Sequence, residues 1–250
     1  MKKHVETILW IINILGLYFF WNYADYIVRF IIIMLYFKIS GINIKKYFKP
    51  SKINIFLICK LLLFILAIDR LCYLYSFIPH DIKYAFVFFK NNFQTIVFQD
   101  IFYKYNSDIY QLILTISLTP LFEEIFYRGY LYNGLKLTYS NRNAAIIISG
   151  MIFGIYHIPR YGYDFGIIIL VLLGIALAHC YEKTGTIWTP IIMHSLYNIL
   201  INFGKLLTMP FYIILMFTYI ILGGIVGTVE LIKYLKRRKT FNDIQSYSPS

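Results

Sequence analysis

Apolar runs recur along the chain from Ile8 almost to Leu235, separated by short polar or basic stretches. Such runs suit helices that cross a bilayer, which need about 20 apolar residues each. The pattern predicts spans near 7–21, 26–39, 53–78, 109–134, 144–158, 165–181, 187–204 and 209–232. The expected fold is all-α, a polytopic membrane helix bundle of about eight transmembrane helices. The stretch 81–108 is too polar to span, with Lys90, Asn91, Asn92, Gln94 and Asp100 among its aromatics. It reads as an amphipathic helix lying in the outer interface. The last residues, TFNDIQSYSPS, read as a disordered tail. Gly150 with Gly154, and Gly223 with Gly227, sit four apart and predict close helix packing.

Composition strengthens this picture. The chain of 250 residues is 59% hydrophobic and 14% charged, with mean hydropathy +0.64. An ordinary soluble domain carries about 25% charged residues, so that class is excluded. The three cysteines, Cys59, Cys72 and Cys180, are scattered through apolar segments and read as small buried hydrophobes, not a disulfide framework. The opening MKKHVETILWIINILGLYFFW has basic residues before an apolar core but no small-x-small cleavage site, so it reads as a retained first helix.

The net charge of +12 raises the question of nucleic acid, and its placement answers it. With the spans above, one side receives Lys2, Lys3, Lys38, Lys45, Lys46, Lys49, Lys52, Lys136, Arg142, Lys183 and the basic cluster KYLKRRK. The other side receives only Lys83, Lys90, Lys104, Arg160 and Lys205. This asymmetry is the positive-inside pattern, which puts both termini in the cytoplasm and leaves no call for nucleic acid. The terminal cluster is a topology anchor suited to anionic lipid. Heavy use of Ile, Lys, Asn, Phe and Tyr fits an AT-rich bacterial genome, hence a bacterial plasma membrane.

Polar residues inside such spans are the candidate chemistry, because each charge at a helix centre costs roughly 2.5–3.5 kcal/mol on insertion scales. In PLFEEIFYRGY, Glu124 and Arg128 stand four apart and can pair on a helix. Glu123 lies about 100° away around the axis and points elsewhere. Tyr127, one turn on, can offer a hydroxyl, and Pro120 should kink the helix just before the acids. The next span ends SGMIFGIYHIP, with His157 one turn past Phe153. A later one contains WTPIIMHSLYNIL, with His194 and Asn198 on one face. Each part alone has a structural reading: a buried ion pair fixing register, a satisfied histidine at a helix end, a polar pair gluing helices. Together they could hydrolyse an amide. A buried glutamate can act as general base toward water, and an imidazole and a carboxamide can stabilise the oxyanion. Two imidazoles and a carboxylate could instead hold zinc, and the spacing leaves both open.

These motifs resemble the CAAX protease and bacteriocin-processing (CPBP, or Abi) family of intramembrane proteases. The chain has Glu123-Glu124-x-x-x-Arg128, Phe153-x-x-x-His157 and His194-x-x-x-Asn198, in order, over about 109–204. The resemblance implies a catalytic core of four helices within 106–206; on either side of it the apolar pattern gives membrane helices and an interfacial segment over 1–105 and a last span with a basic tail over 207–250. It implies that Glu123 and His157 activate water and that His194 and Asn198 hold the oxyanion. Glu124, Arg128, Tyr127 and Phe153 would support them. A metal, if used, would fall to Glu123, His157 and His194; the absence of HExxH favours a metal-free glutamate mechanism. The implied partner is a peptide or lipidated peptide, with membrane lipid around it and no obligate protein partner. The competing classes are a non-catalytic scaffold or immunity protein of the same fold, and a small proton-relaying transporter, for which no duplicated half is visible.

Overall fold

The computed structural model describes residues 31, 34, 35, 37, 38 and 48, then 53–76, 109–158, 165–204 and 209–246. The predicted span 7–21, most of 26–39 and the interfacial segment lie outside the described residues. Among those described, every element is helical: α1 (Ile55–Ser76), α2 (Ile109–Ile116), α3 (Leu118–Glu124), a π-helical segment (Ile125–Tyr132), α4 (Asn133–Tyr139), α5 (Arg142–Tyr156), α6 (Phe165–Thr184), α7 (Trp188–Gly204) and α8 (Met209–Ser246). Two stretches among them, Gly166–Thr184 and Phe211–Thr240, are long and apolar enough to cross a membrane; α5 is apolar but shorter.

The chain divides into two compact units, one of Met1–Ile58 with Phe98–Phe203 and one of Cys59–Val97 with Gly204–Ser250. In the first, the predicted span 109–134 is one path broken into pieces. Proline lacks an N–H and its ring crowds the carbonyl four residues back. Pro120 thus acts on Ile116, and α2 ends there, with Ser117 (φ −110°, ψ −64°) forming the break. Ser117 Oγ donates to the Ile113 carbonyl at 2.7 Å, which also accepts the Ser117 backbone N–H at 3.0 Å. Beyond Glu124 the backbone widens to π geometry, in which bonds span five residues instead of four. Where the winding tightens again, the Asn133 side chain donates to the carbonyls of Arg128 (2.7 Å) and Gly129 (3.0 Å).

The turn after α4 rests on Ser140 in the left-handed region (φ 50°). Asn141 then caps α5, its side chain accepting from the N–H groups of Asn143 and Ala144. The glycine pair on α5 works as expected. A Cβ at Gly150 would lie 2.6 Å from the Ile175 nitrogen, and one at Gly154 would lie 2.8 Å from that of Val171. Both glycines therefore let α5 and α6 meet backbone to backbone. Gly185 (φ +66°) ends α6 in a conformation that costs a side-chain-bearing residue more than glycine.

In the second unit α1 and α8 pack antiparallel. A Cβ at Gly223 would run into Ala67 and lie 2.5 Å from the Leu63 carbonyl, and Gly227 faces the Phe64 ring. Charges carried inside α1 are paired on this seam. Lys60 meets Glu230 at 3.4 Å, and Arg70 pairs with Asp69 at 2.8 Å and donates to the Tyr212 hydroxyl at 2.5 Å.

Two expectations need correction. Only Cys180 is buried; Cys72 is half-buried and Cys59 is exposed on α1. Cysteine is small and apolar enough to sit on a helix face that has no protein against it, so sequence context alone did not fix its side. The tail is also not irregular from Thr240, because α8 continues through Ser246. The Lys and Arg residues before it are good helix formers, and no glycine or proline stops the helix before Pro249.

Candidate active site

The charged motif residues converge on His194. Its Nδ1 lies 2.9 Å from Glu124 Oε1, and its Nε2 lies 3.9 Å from Glu123 Oε2. A carboxylate can only accept, so Nδ1 carries the proton in the shorter contact. Arg128 Nη1 is 2.9 Å from the Glu124 carboxylate, and Nη2 donates to the Gly174 carbonyl on α6 at 2.8 Å. Glu124 and Arg128 are fully buried, while Glu123 (8%), His157 (9%) and His194 (4%) keep slight exposure. Glu123 Oε2 itself is buried and makes no hydrogen bond. The two adjacent acids thus have different surroundings: Glu124 is held from both sides, and Glu123 faces the far nitrogen of the same imidazole across a gap.

Phe153 is the apolar centre. Its ring lies 4.8 Å from that of His157, 5.7 Å from that of His194 and 5.0 Å from that of Tyr127. The Arg128 guanidinium sits 5.1 Å from its centroid and 5.7 Å from that of Tyr127. Such contacts favour a cation over an aromatic face. His157 is the C-cap of α5 (φ −85°, ψ −5°), and its Nδ1 donates to the Phe153 carbonyl at 2.7 Å. In the neutral ring, this bond puts the proton on Nδ1 and the lone pair on Nε2. Ser149, one turn before Phe153, donates to the Tyr127 carbonyl at 3.4 Å and ties α5 to the π-helical segment.

Asn198 lies one turn beyond His194 on α7. Its amide donates to the Thr115 carbonyl on α2 at 2.9 Å, lacing these two helices. Glu123, Glu124, Arg128 and His194 therefore form one connected charged group. His157 joins it through Phe153, and Asn198 through α7 and the α2–α3 path.

The fit of a metal turns on His194. Its Nδ1 donates to Glu124, which leaves Nε2 as the nitrogen a cation could use, with Glu123 on that side of the ring. Among the described residues no three His, Cys, Asp or Glu side chains come together as a metal-holding set. A catalytic zinc draws on three protein ligands, and the expected third, His157, does not join Glu123 and His194 in such a set.

Several features had no clear signal in the sequence. The pairing of His194 with Glu124 spans 70 positions. Asn133, which also donates to the Tyr181 hydroxyl at 3.0 Å, supports the carbonyl of Arg128 itself. At the end of the site away from Asn198, Glu182 accepts from Tyr132 and Lys136, both at 2.7 Å, and meets Arg142 at 3.4 Å. An acid among bases expected on one side of the membrane was the available hint.

Comparison with curated proteins and with solved structures gives no match. Residues 105–200 do match the family described as Type II CAAX prenyl endopeptidase Rce1-like, so this part of the chain is similar to that family, a likeness consistent with the CPBP proteases.

Proposed function

We propose that the chain is an intramembrane endopeptidase that hydrolyses a peptide bond in a peptide or lipidated peptide, using water activated by Glu123. The observation that carries this reading is the gap between Glu123 Oε2 and His194 Nε2, 3.9 Å wide. That is too long for a direct hydrogen bond and right for an oxygen that contacts both atoms. Glu123 Oε2, buried without a hydrogen bond, takes the proton of the attacking water. His157, with its lone pair on Nε2, shares that proton and delivers it to the leaving amine.

His194 and Asn198 donate to the oxyanion. With Nδ1–H anchored on Glu124, the ring turns its Nε2 edge toward Glu123 and the reacting carbonyl. Glu124 and Arg128 fix the ring, as a buried carboxylate orients the imidazole in serine proteases. No step runs through a metal. The family match supports a CAAX-type protease in general. In a bacterial plasma membrane, with both termini cytoplasmic, the matching roles are maturation of a bacteriocin or peptide pheromone, or self-immunity against one.

The test is peptide mass spectrometry of membranes and culture supernatants from cells carrying the wild type or Glu123→Gln, with insertion checked in both. Peptides present only with the wild type are expected. Identical peptide sets from two equally inserted proteins would overturn the protease reading in favour of a non-catalytic scaffold.

A further inference from the structure

We infer that Gly174 on α6, outside every motif of the site, is a positioning residue that sets both arms of the charged group at once. The inference rests on the protease reading for its effect on turnover, but not for its effect on geometry. Two independent contacts meet at this residue. Its carbonyl accepts Arg128 Nη2 at 2.8 Å, which leaves Nη1 directed at Glu124, and Glu124 in turn holds His194 Nδ1. Its missing side chain seats α5: a Cβ there would lie 2.9 Å from the Gly150 Cα, the Gly150 carbonyl oxygen and the Phe153 Cβ.

Two of these three neighbours are backbone and the third is the Cβ of the fully buried Phe153, so none can swing aside. A methyl group at 174 must push α5 away from α6. Phe153 then moves, and with it the carbonyl that orients His157 and the face on which His194 rests. The same displacement shifts the Gly174 carbonyl relative to Arg128.

The experiment is solution NMR of the full chain in detergent with 15N-labelled histidine, run beside the peptide comparison above. The strongly hydrogen-bonded Nδ1 proton of His194 is assigned by its loss in His194→Ala. In Gly174→Ala this proton is expected to move upfield or vanish, and wild-type product to fall about a hundredfold, the scale of a 1 Å misplacement. If Gly174→Ala does not insert, Arg128→Lys decides, since a lysine pairs with Glu124 but cannot also reach the Gly174 carbonyl. An unmoved His194 proton in the inserted Gly174→Ala protein, or in Arg128→Lys, overturns the inference. A proton that moves in Gly174→Ala, in a protein whose wild type and Glu123→Gln yield the same peptides, upholds the positioning role and removes only the protease reading.

Discussion

The adjacent acids Glu123 and Glu124 should separate cleanly when each is made neutral. Glu124 is fully buried, with Arg128 Nη1 and His194 Nδ1 both at 2.9 Å. Glu124→Gln keeps the shape but leaves Arg128 a buried cation without a counter-charge. Removing one partner of a buried pair costs about 3–5 kcal/mol, and the surviving amide oxygen puts this case near ~3. For a chain of this size each kcal/mol shifts Tm by roughly 2–4 °C, so a drop of about 6–12 °C is expected. Glu123 Oε2 has no hydrogen bond to lose, and His194 Nε2 is 3.9 Å away. Glu123→Gln should therefore cost less than about 1 kcal/mol, close to the net value of one hydrogen bond. Both changes should abolish product by different routes. Glu123→Gln removes the base. Glu124→Gln lets an amide N–H face Nδ1 and favour the wrong tautomer, an error worth about 10⁴ in serine proteases. The assay is thermal unfolding of detergent-purified protein, followed by tryptophan fluorescence, beside the peptide comparison. Equal melting losses for the two variants, or a Glu124→Gln protein as stable as wild type, would refute the division of labour.

Three further outcomes follow from single contacts. Asn133→Ala strips the side-chain donor from the Arg128 and Gly129 carbonyls, and should cost about 1–3 kcal/mol, read as a lower Tm with faster amide exchange over 125–133. Glu182→Gln weakens the bonds from Tyr132 and Lys136 and should lower Tm by several degrees, about 2–3 kcal/mol, with product formation kept. Arg142 contributes little to that loss because its side chain is 74% exposed. Asn198→Ala breaks the tie to Thr115, worth about 1 kcal/mol. With the proposed oxyanion contact of Asn198 lost as well, kcat should fall by about 10²–10³ with KM unmoved.

What could be read in advance depended on how local its cause was. Pro120 announced the break before the acids because its effect acts four residues back on its own helix. The glycine pairs on α5 and α8 announced close packing because their spacing is a property of one helix face. The Glu124–Arg128 pair was legible for the same reason. The π-helical segment was not, since IFYRGYLY has the same mixture of aromatic and aliphatic residues as the α-helices around it. Its wider winding is sustained from outside, by Asn133, Tyr181 and Glu182. Spacing also isolated Glu123 correctly from Arg128, but could not show that His194 would reach both acids. That requires α7 to lie against α3, which no single helix encodes.

The length of α8 has its own consequence. Its 38 residues span roughly 57 Å at 1.5 Å per residue, against a hydrocarbon core of about 30 Å. The apolar part, 209–232, is fastened to α1 at Gly223, Gly227 and Glu230, and Lys233, Lys236, Arg237, Arg238 and Lys239 follow on the same unbroken helix. These charges ride on a stiff rod and not on a tether, so their height and compass bearing are fixed by the seam below. Deleting one residue between Glu230 and Lys236 would leave composition and net charge almost unchanged. It would still turn every later charge by about 100° and lower it by about 1.5 Å. For this terminus, direction is as much a part of the sequence's content as charge.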